Sequence, residues 1–498
     1  MRRTLALALA ATLVAVPLMA VPAQAAPPEA GKAKPVAWQP CPDAAGVECG
    51  TVSVPIDWSK PSGPKIEIAL ARRKATDQAN RIGSILVDPG GPGGPGAEWV
   101  KQTGIFSPAI TSRFDVVGFD PRGTGSSSPV WCDGAIASEQ YSRNPDSPAE
   151  FQQMVDHNRR YGESCRALTG QLFDFLDTVS VVHDMDAIRA ALGEKKLNYY
   201  GVSYGTLMGQ QYAEKYPGKI RTMVIDSNMD HSISTAFQFI YTETLAGQEN
   251  FDEFVKWCER STDCVLRDRG ARTVYRDLYA RAERGELPLT TMDLQGMIVG
   301  ALYGPYWRGL ATQLDRLSKL PAPAPAPAAR TGTEKIHDPF QSIFCQDWKL
   351  PIRTYTEWNV YRQAVGASFA DIKLSPMGAL SLACQGWPAK VRNPQHRLQV
   401  HGAPPILMLN SRYDPATPYQ WATVAARQSG ATLLTYDGWG HGSYFVGGTC
   451  VVNATETYLL TGQTPAKGTH CPAVEPAEPN PGLTRQLPGR PSPGPWRA

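Results

Sequence analysis

A mostly parallel α/β sheet carrying a large, mainly helical insertion is the fold class predicted for this 498-residue chain, and three observations predict it. Short apolar runs of strand character alternate with helical patterns, first between Thr51 and Asp226 and again between Pro405 and Thr435. Alternation of this kind implies parallel strands joined by helices. Between the two blocks, from Ser227 to Val400, strand signals give way to helical ones. Finally, Gly201-Val202-Ser203-Tyr204-Gly205 falls where a predicted strand runs into a predicted helix.

The first segment reads as an export signal. Arg2 and Arg3 precede an apolar run from Leu5 to Val21, broken only by Thr12 and Pro17, and Ala23-Gln24-Ala25 supplies the small-x-small pattern of a cleavage site. The run is marginal for crossing about 30 Å of hydrocarbon and carries Pro17 and Pro22 near its end, so a membrane helix is the weaker reading. The mature protein is expected to be secreted, extracellular and free of the membrane after cleavage, beginning near Ala26. The full chain carries a net charge of +3, which falls to +1 without the two arginines of the leader. Such a chain has no electrostatic means of holding a nucleic-acid backbone, and no nucleic-acid partner is expected.

The organisation that follows is a leader over 1–25, an extension over 26–49 and the first part of an α/β core over 50–226. A helical cap over 227–400, the second part of the core over 401–472 and a proline-rich tail over 473–498 complete it. Residues 26–40 are rich in Ala, Pro and Lys and read as disordered. Thr51–Pro55 and Ile66–Leu70 alternate apolar and polar residues as half-buried strands do, and Ile82–Val87 and Phe114–Phe119 are short apolar runs. Ser180–Leu192 has a helical apolar face and stops at Gly193; Lys196–Val202 is the next strand, Thr206–Lys215 the next helix and Ile220–Asp226 another strand. In the insertion, Asn250–Glu259 is helical and the alternating Pro-Ala run from Pro321 is extended and exposed. Pro405–Leu409 and Ala431–Thr435 are the last two strands.

Ten cysteines, at 41, 49, 132, 165, 258, 264, 345, 384, 450 and 471, make an even number in an exported chain and suggest disulfides. Pairing neighbours in order is the simplest arrangement. No Cys-x-x-Cys pair and no histidine at zinc-like spacing is present, so no metal and no cofactor are expected.

Chemistry concentrates at strand ends. A serine on a sharp strand-to-helix turn has its hydroxyl pushed out of the sheet, and the helix N-terminus behind it favours developing negative charge. Ser203 is therefore the candidate nucleophile. The loop Asp88-Pro89-Gly90-Gly91-Pro92-Gly93-Gly94-Pro95-Gly96 follows another strand. A loop so dense in glycine can turn N–H groups toward an oxyanion. Gly91, or a neighbour, is the expected donor there, together with the N–H of Tyr204. Among eight histidines, His441 stands in Gly440-His441-Gly442 just past a strand and is the candidate base. Asp414, after the strand ending at Leu409, is the candidate acid; Asp437 reads as part of the histidine's own loop and competes less well. The order Ser203, Asp414, His441 is that of an α/β-hydrolase.

Several segments together resemble the secreted tripeptidyl aminopeptidases of actinobacteria, relatives of proline iminopeptidases. They are the glycine-proline loop, Val117–Gly123, Ala191–Thr206, Asp414-Pro415-Ala416-Thr417-Pro418, Gly440–Gly442 and Thr457–Gly462. The resemblance implies an α/β-hydrolase fold and a serine exopeptidase that releases tripeptides, in some members tetrapeptides or products cut after proline, from free N-termini of peptides or unfolded proteins. It maps nucleophile, acid and base to Ser203, Asp414 and His441. One departure is Asp88-Pro89 where proline iminopeptidases have His before the two glycines. An exopeptidase must meet the substrate's α-ammonium group with an acid; Glu243, Glu249, Asp252 and Asp347 are candidates by position alone, and each reads equally as an ordinary surface or structural carboxylate and is not assigned as a site. Two other readings stand beside it: a secreted esterase or lipase-like hydrolase using the same triad, and a non-catalytic binding protein on a hydrolase scaffold.

Overall fold

A computed structural model describes residues 34–102, 104–322 and 334–476. The leader, residues 26–33, the Pro-Ala run beyond Ala322 and the tail beyond residue 476 lie outside the described residues.

Twelve strands are present among them: β1 (Gln39–Pro40), β2 (Glu48–Pro55), β3 (Lys65–Arg73), β4 (Gly83–Asp88), β5 (Phe114–Phe119), β6 (Trp131–Asp133), β7 (Leu197–Val202), β8 (Ile220–Asp226), β9 (Lys335–His337), β10 (Leu407–Tyr413), β11 (Thr432–Trp439) and β12 (His470–Cys471). Ten form one sheet in the order β1-β2-β3-β5-β4-β7-β8-β10-β11-β12, and β6 pairs with β9 separately. From β5 to β12 every neighbour is parallel, while β1, β2 and β3 join antiparallel. The sheet thus begins at Gln39, inside the segment expected to be a disordered extension, because the Cys41–Cys49 disulfide closes a short hairpin onto β2.

Period-two alternation divides the central strands between two cores. Leu86 of β4, Leu197 and Tyr199 of β7 and Met223 and Ile225 of β8 face one. Ile85, Val87, Tyr200, Val202 and Val224 face the other. Every residue of β4, β5 and β7 is buried, as helices on both faces of a parallel sheet require. The helices Thr178–Ala191 and Tyr204–Lys215 lie against the first core, and Gly96–Lys101 and Gly448–Thr461 against the second.

The insertion after β8 is mainly helical, from Ala236–Arg260 to Pro376–Ala383, and has a third core of its own around Phe251, Phe254, Tyr275 and Trp307. One long helix, Pro148–Thr169, escaped the sequence reading, although Ser147 caps it by accepting the N–H of Glu150. Arg122, in the Asp-Pro-Arg-Gly turn after β5, is wholly buried. It donates Nε and Nη2 to Asp184 at 2.7 Å each and Nη1 to the carbonyls of Ile56 and Phe175, which makes it a bolt between β2 and the helix Thr178–Ala191. All ten cysteines pair with their sequence neighbours: 41–49, 132–165, 258–264, 345–384 and 450–471. Among the described residues no helix is long and apolar enough to cross a membrane.

Candidate active site

β7 ends at Val202, and Ser203 turns the chain into the helix Tyr204–Lys215 with φ 58° and ψ −122°. A non-glycine residue at positive φ costs about 1–3 kcal/mol and persists only where its surroundings impose it. Here they do. A side chain at Gly205 would place Cβ 2.8 Å from Asp88 Oδ1, and one at Gly201 would place it 2.7 Å from the carbonyl of Gly205, so strand and helix are packed too closely for any other turn. Between Leu197 and Ala213, Ser203 is the one residue that is not buried.

The glycine-proline loop rests directly on this turn. A Cβ on Gly90 (φ +86°) would lie 2.4 Å from the carbonyl oxygen of Val202 and 2.8 Å from the nitrogen of Tyr204. Asp88 explains its own place in the sequence: its Oδ1 accepts the Gly90 N–H at 2.8 Å and so holds the loop against the turn. Its carboxyl is wholly buried, and that desolvation pushes its pKa up to about 8. The Gly90 N–H is thereby spent, the Gly94 N–H goes to the carbonyl of Gly90, and Pro92 has none. The N–H groups of Gly91 and Gly93 remain in this loop, and that of Tyr204 at the first turn of its helix.

Asp414 and His441 meet. His441 Nδ1 lies 2.9 Å from Asp414 Oδ1 and 3.1 Å from Oδ2, and both side chains are buried. Asp414 also accepts the N–H groups of Ala416 and Thr417 and the hydroxyl of Thr417. The strand before it is longer than the sequence suggested. β10 runs through Asn410, Ser411 and Arg412 to Tyr413, so Asp414 leaves the strand end itself. Likewise β11 continues to Trp439, which puts Asp437 on the strand rather than on the histidine's loop; its Oδ1 meets His470 Nδ1 at 2.8 Å, near the surface.

The His441 loop is gripped from two sides. From the helical insertion, the carbonyl of Tyr303 accepts the His441 N–H at 2.7 Å and the Tyr303 ring lies 4.9 Å from the imidazole. From the sheet, Ser227 Oγ accepts the N–H of Gly442 at 2.7 Å, and the Asp226 carboxylate accepts those of Ser443 and Tyr444 at 2.8 Å each. The backbone carbonyl of Asp226 accepts the N–H of Ser203 at 2.9 Å. Ser203 and the His441 loop are therefore fastened to one residue at the end of β8, while Asp414 reaches the imidazole from the next strand.

The four acids named by position separate clearly. Asp252 is paired with Arg272 and Glu249 with Arg412. Asp347 lies under the helix after Ser203, bound to Thr178, Asn393 and the hydroxyl of Tyr204. Glu243 is different. It is 2% exposed, its Oε2 has no partner among the described residues, and it lies close enough to Asp414 and Tyr303 for electrostatic interaction. Its burial pushes its pKa well up, with the Asp414 charge adding to the shift. Tyr303, Asp226 and Ser227 were missed by sequence reasoning. Asp226 left one trace, an acid closing an apolar strand; Tyr303 left none.

The segment 374–471 matches the family model described as TAP-like protein. That segment contains Asp414 and His441. The chain is 30% identical over 486 residues to a protein of Mycobacterium tuberculosis named serine protease Hip1, covering 88% of this chain and 91% of that one. It is 30% identical over 455 residues to the tripeptidyl aminopeptidase of Streptomyces lividans, covering 85% of this chain and 83% of the relative. To a Mycobacterium tuberculosis protein named carboxylesterase B it is 31% identical over 466 residues, covering 85% and 86%.

Proposed function

The chain belongs to the TAP-like family of α/β-hydrolases, and from that premise we propose that it is a secreted serine exopeptidase that releases tripeptides from free N-termini. The observation that carries the chemistry is the bond between His441 Nδ1 and Asp414 on the same sheet edge as the strained, accessible Ser203. Asp414 holds the imidazole with its proton on Nδ1, leaving Nε2 to take the proton of Ser203 as Oγ attacks the carbonyl carbon. The Gly91 and Tyr204 N–H groups receive the oxyanion. The imidazolium then protonates the leaving amine, and water releases the acyl-enzyme by the same route in reverse. Leader, disulfides and family together support export.

The oxyanion assignment has its own test. Gly90→Ala forces a Cβ into the Val202 carbonyl and the Tyr204 nitrogen, so the loop must lift away from the turn. Turnover is expected to fall about 10²–10³-fold, the range for losing an oxyanion donor, with a smaller change in KM. Steady-state kinetics on an activated ester measure it.

Glu243 supports the exopeptidase reading. A buried carboxyl beside the triad, its Oε2 without a partner among the described residues, suits the α-ammonium group of a substrate, and the helical insertion would admit only a chain end. Because burial raises the carboxyl's pKa, the ionised form that pairs with an ammonium ion gains weight as pH rises, and KM should fall until the α-amine itself deprotonates, at about 8. A panel of tripeptide amides with free or acetylated N-termini tests this. Acetylation is expected to abolish cleavage, and Glu243→Gln to raise KM for the free amines with little effect on simple esters. Cleavage that survives acetylation would replace this reading with an esterase-like one, which the carboxylesterase-named relative favours.

A further inference from the structure

The end of β8 does more than complete a strand. Three successive N–H groups after His441, those of Gly442, Ser443 and Tyr444, are all accepted by the side chains of Ser227 and Asp226. Ser227 adopts φ +64° to present its hydroxyl there, a strained backbone adjoining a strained nucleophile turn. Asp226 is wholly buried and meets two backbone N–H groups and, at 3.1 Å, the hydroxyl of Tyr200. The two backbone N–H groups can only donate, one to each carboxylate oxygen, and the Tyr200 hydroxyl is free to donate as well, an arrangement that suits a carboxylate better than a carboxylic acid.

We propose that Asp226 is a positioning residue for His441: its ionised carboxylate seats the base loop against the turn that carries Ser203, and the seat is weakened when that carboxylate takes a proton. The proposal rests on the triad reading above. The titratable groups facing Asp226 are Tyr200 from β7, His441 from its loop and Tyr444 from the helix Ser443–Val446; Glu456 stands one group beyond, holding the Tyr444 hydroxyl at 2.6 Å. Burial pushes the Asp226 carboxyl up to about 6 against the opposing pull of the Ser443 and Tyr444 N–H groups. The competent form is therefore present above about pH 6 and is lost as pH falls through that value, adding to the acid limb that any imidazole base gives.

Asp226→Asn copies the shape and charge of the protonated acid. At pH 8 its kcat on a tripeptide amide is expected to fall roughly 10- to 100-fold with KM within about twofold, the scale of a buried hydrogen bond to a charged group. Below pH 6 wild type and variant should converge, because the wild-type residue is then neutral as well. A ratio constant from pH 5 to 8.5, or an unchanged kcat, overturns the proposal. Tyr200→Phe serves as the second arm, and decides alone if the asparagine variant does not fold. It keeps the ring and removes one donor to the anion, so the acid limb should move to higher pH; an unmoved limb overturns the proposal. Ser203→Ala, run in parallel, separates this from the triad: turnover surviving that change would refute the triad itself, whereas an inactive Ser203→Ala beside an unaltered Asp226→Asn refutes the seat alone.

Discussion

Ser203→Ala is expected to lower kcat by about 10⁴-fold or more and to abolish covalent labelling by a fluorophosphonate probe, with the protein still folded. The size follows from the site. Ser203 is the one accessible hydroxyl on the turn, and its neighbours there serve other purposes. Thr206 donates its hydroxyl to the Ser203 carbonyl, and the hydroxyl of Tyr204 is turned away toward Asp347. No second nucleophile stands ready at that position. The fold should persist because alanine needs no hydrogen bond there and the strained turn is imposed by the packing of Gly201 and Gly205 rather than by the serine side chain. Melting temperatures within a few degrees of wild type, beside lost turnover and lost labelling, are the expected set. Labelling that persists at full rate in the variant would move the nucleophile elsewhere and leave the turn without a role.

How much of this was legible in the sequence depends on what each residue had to satisfy. Ile220–Asp226 and Phe114–Phe119 fall where the apolar runs placed them, since a strand with helices on both faces is apolar over most of its length, with Asp115, Arg221, Thr222 and Asp226 as the polar exceptions toward the ends. β10 ran past its apolar stretch because the polar residues at its end find partners no one-dimensional pattern can show. Asn410 receives the Asn228 N–H and donates to the carbonyl of Thr417, and Ser411 meets Ser443. Asp437 was placed on the wrong kind of element for the same reason. The triad candidates were visible because each sits within two residues of glycine or proline at a strand end. Tyr303 was not, because what it offers His441 is a backbone carbonyl, and every residue has one. Glu243 and Asp347 looked alike as acids of one insertion, and only their surroundings distinguish a carboxyl whose Oε2 has no partner among the described residues from one with several partners.

Asp414→Asn is expected to cut kcat by about 10⁴-fold, the second largest effect, and for a reason different from lost charge alone. Every contact to Asp414 comes from a donor: His441 Nδ1, the N–H groups of Ala416 and Thr417, and the hydroxyl of Thr417. An asparagine must turn an NH₂ into that set. With the NH₂ toward the imidazole, His441 Nδ1 becomes the acceptor and the ring proton shifts to Nε2, where it blocks uptake of the Ser203 proton. With the NH₂ toward residues 416 and 417, a buried donor faces other donors at a cost of about 1–3 kcal/mol. The first loss removes catalysis while sparing the fold; the second lowers stability. Nitrogen chemical shifts of the imidazole, read beside kcat and the melting temperature, tell the two apart. Asp437→Asn, on β11 and bonded to His470 near the surface, should leave turnover unchanged. If Asp437→Asn instead removed activity while Asp414→Asn kept it, the acid would have to be reassigned to the strand that precedes the histidine.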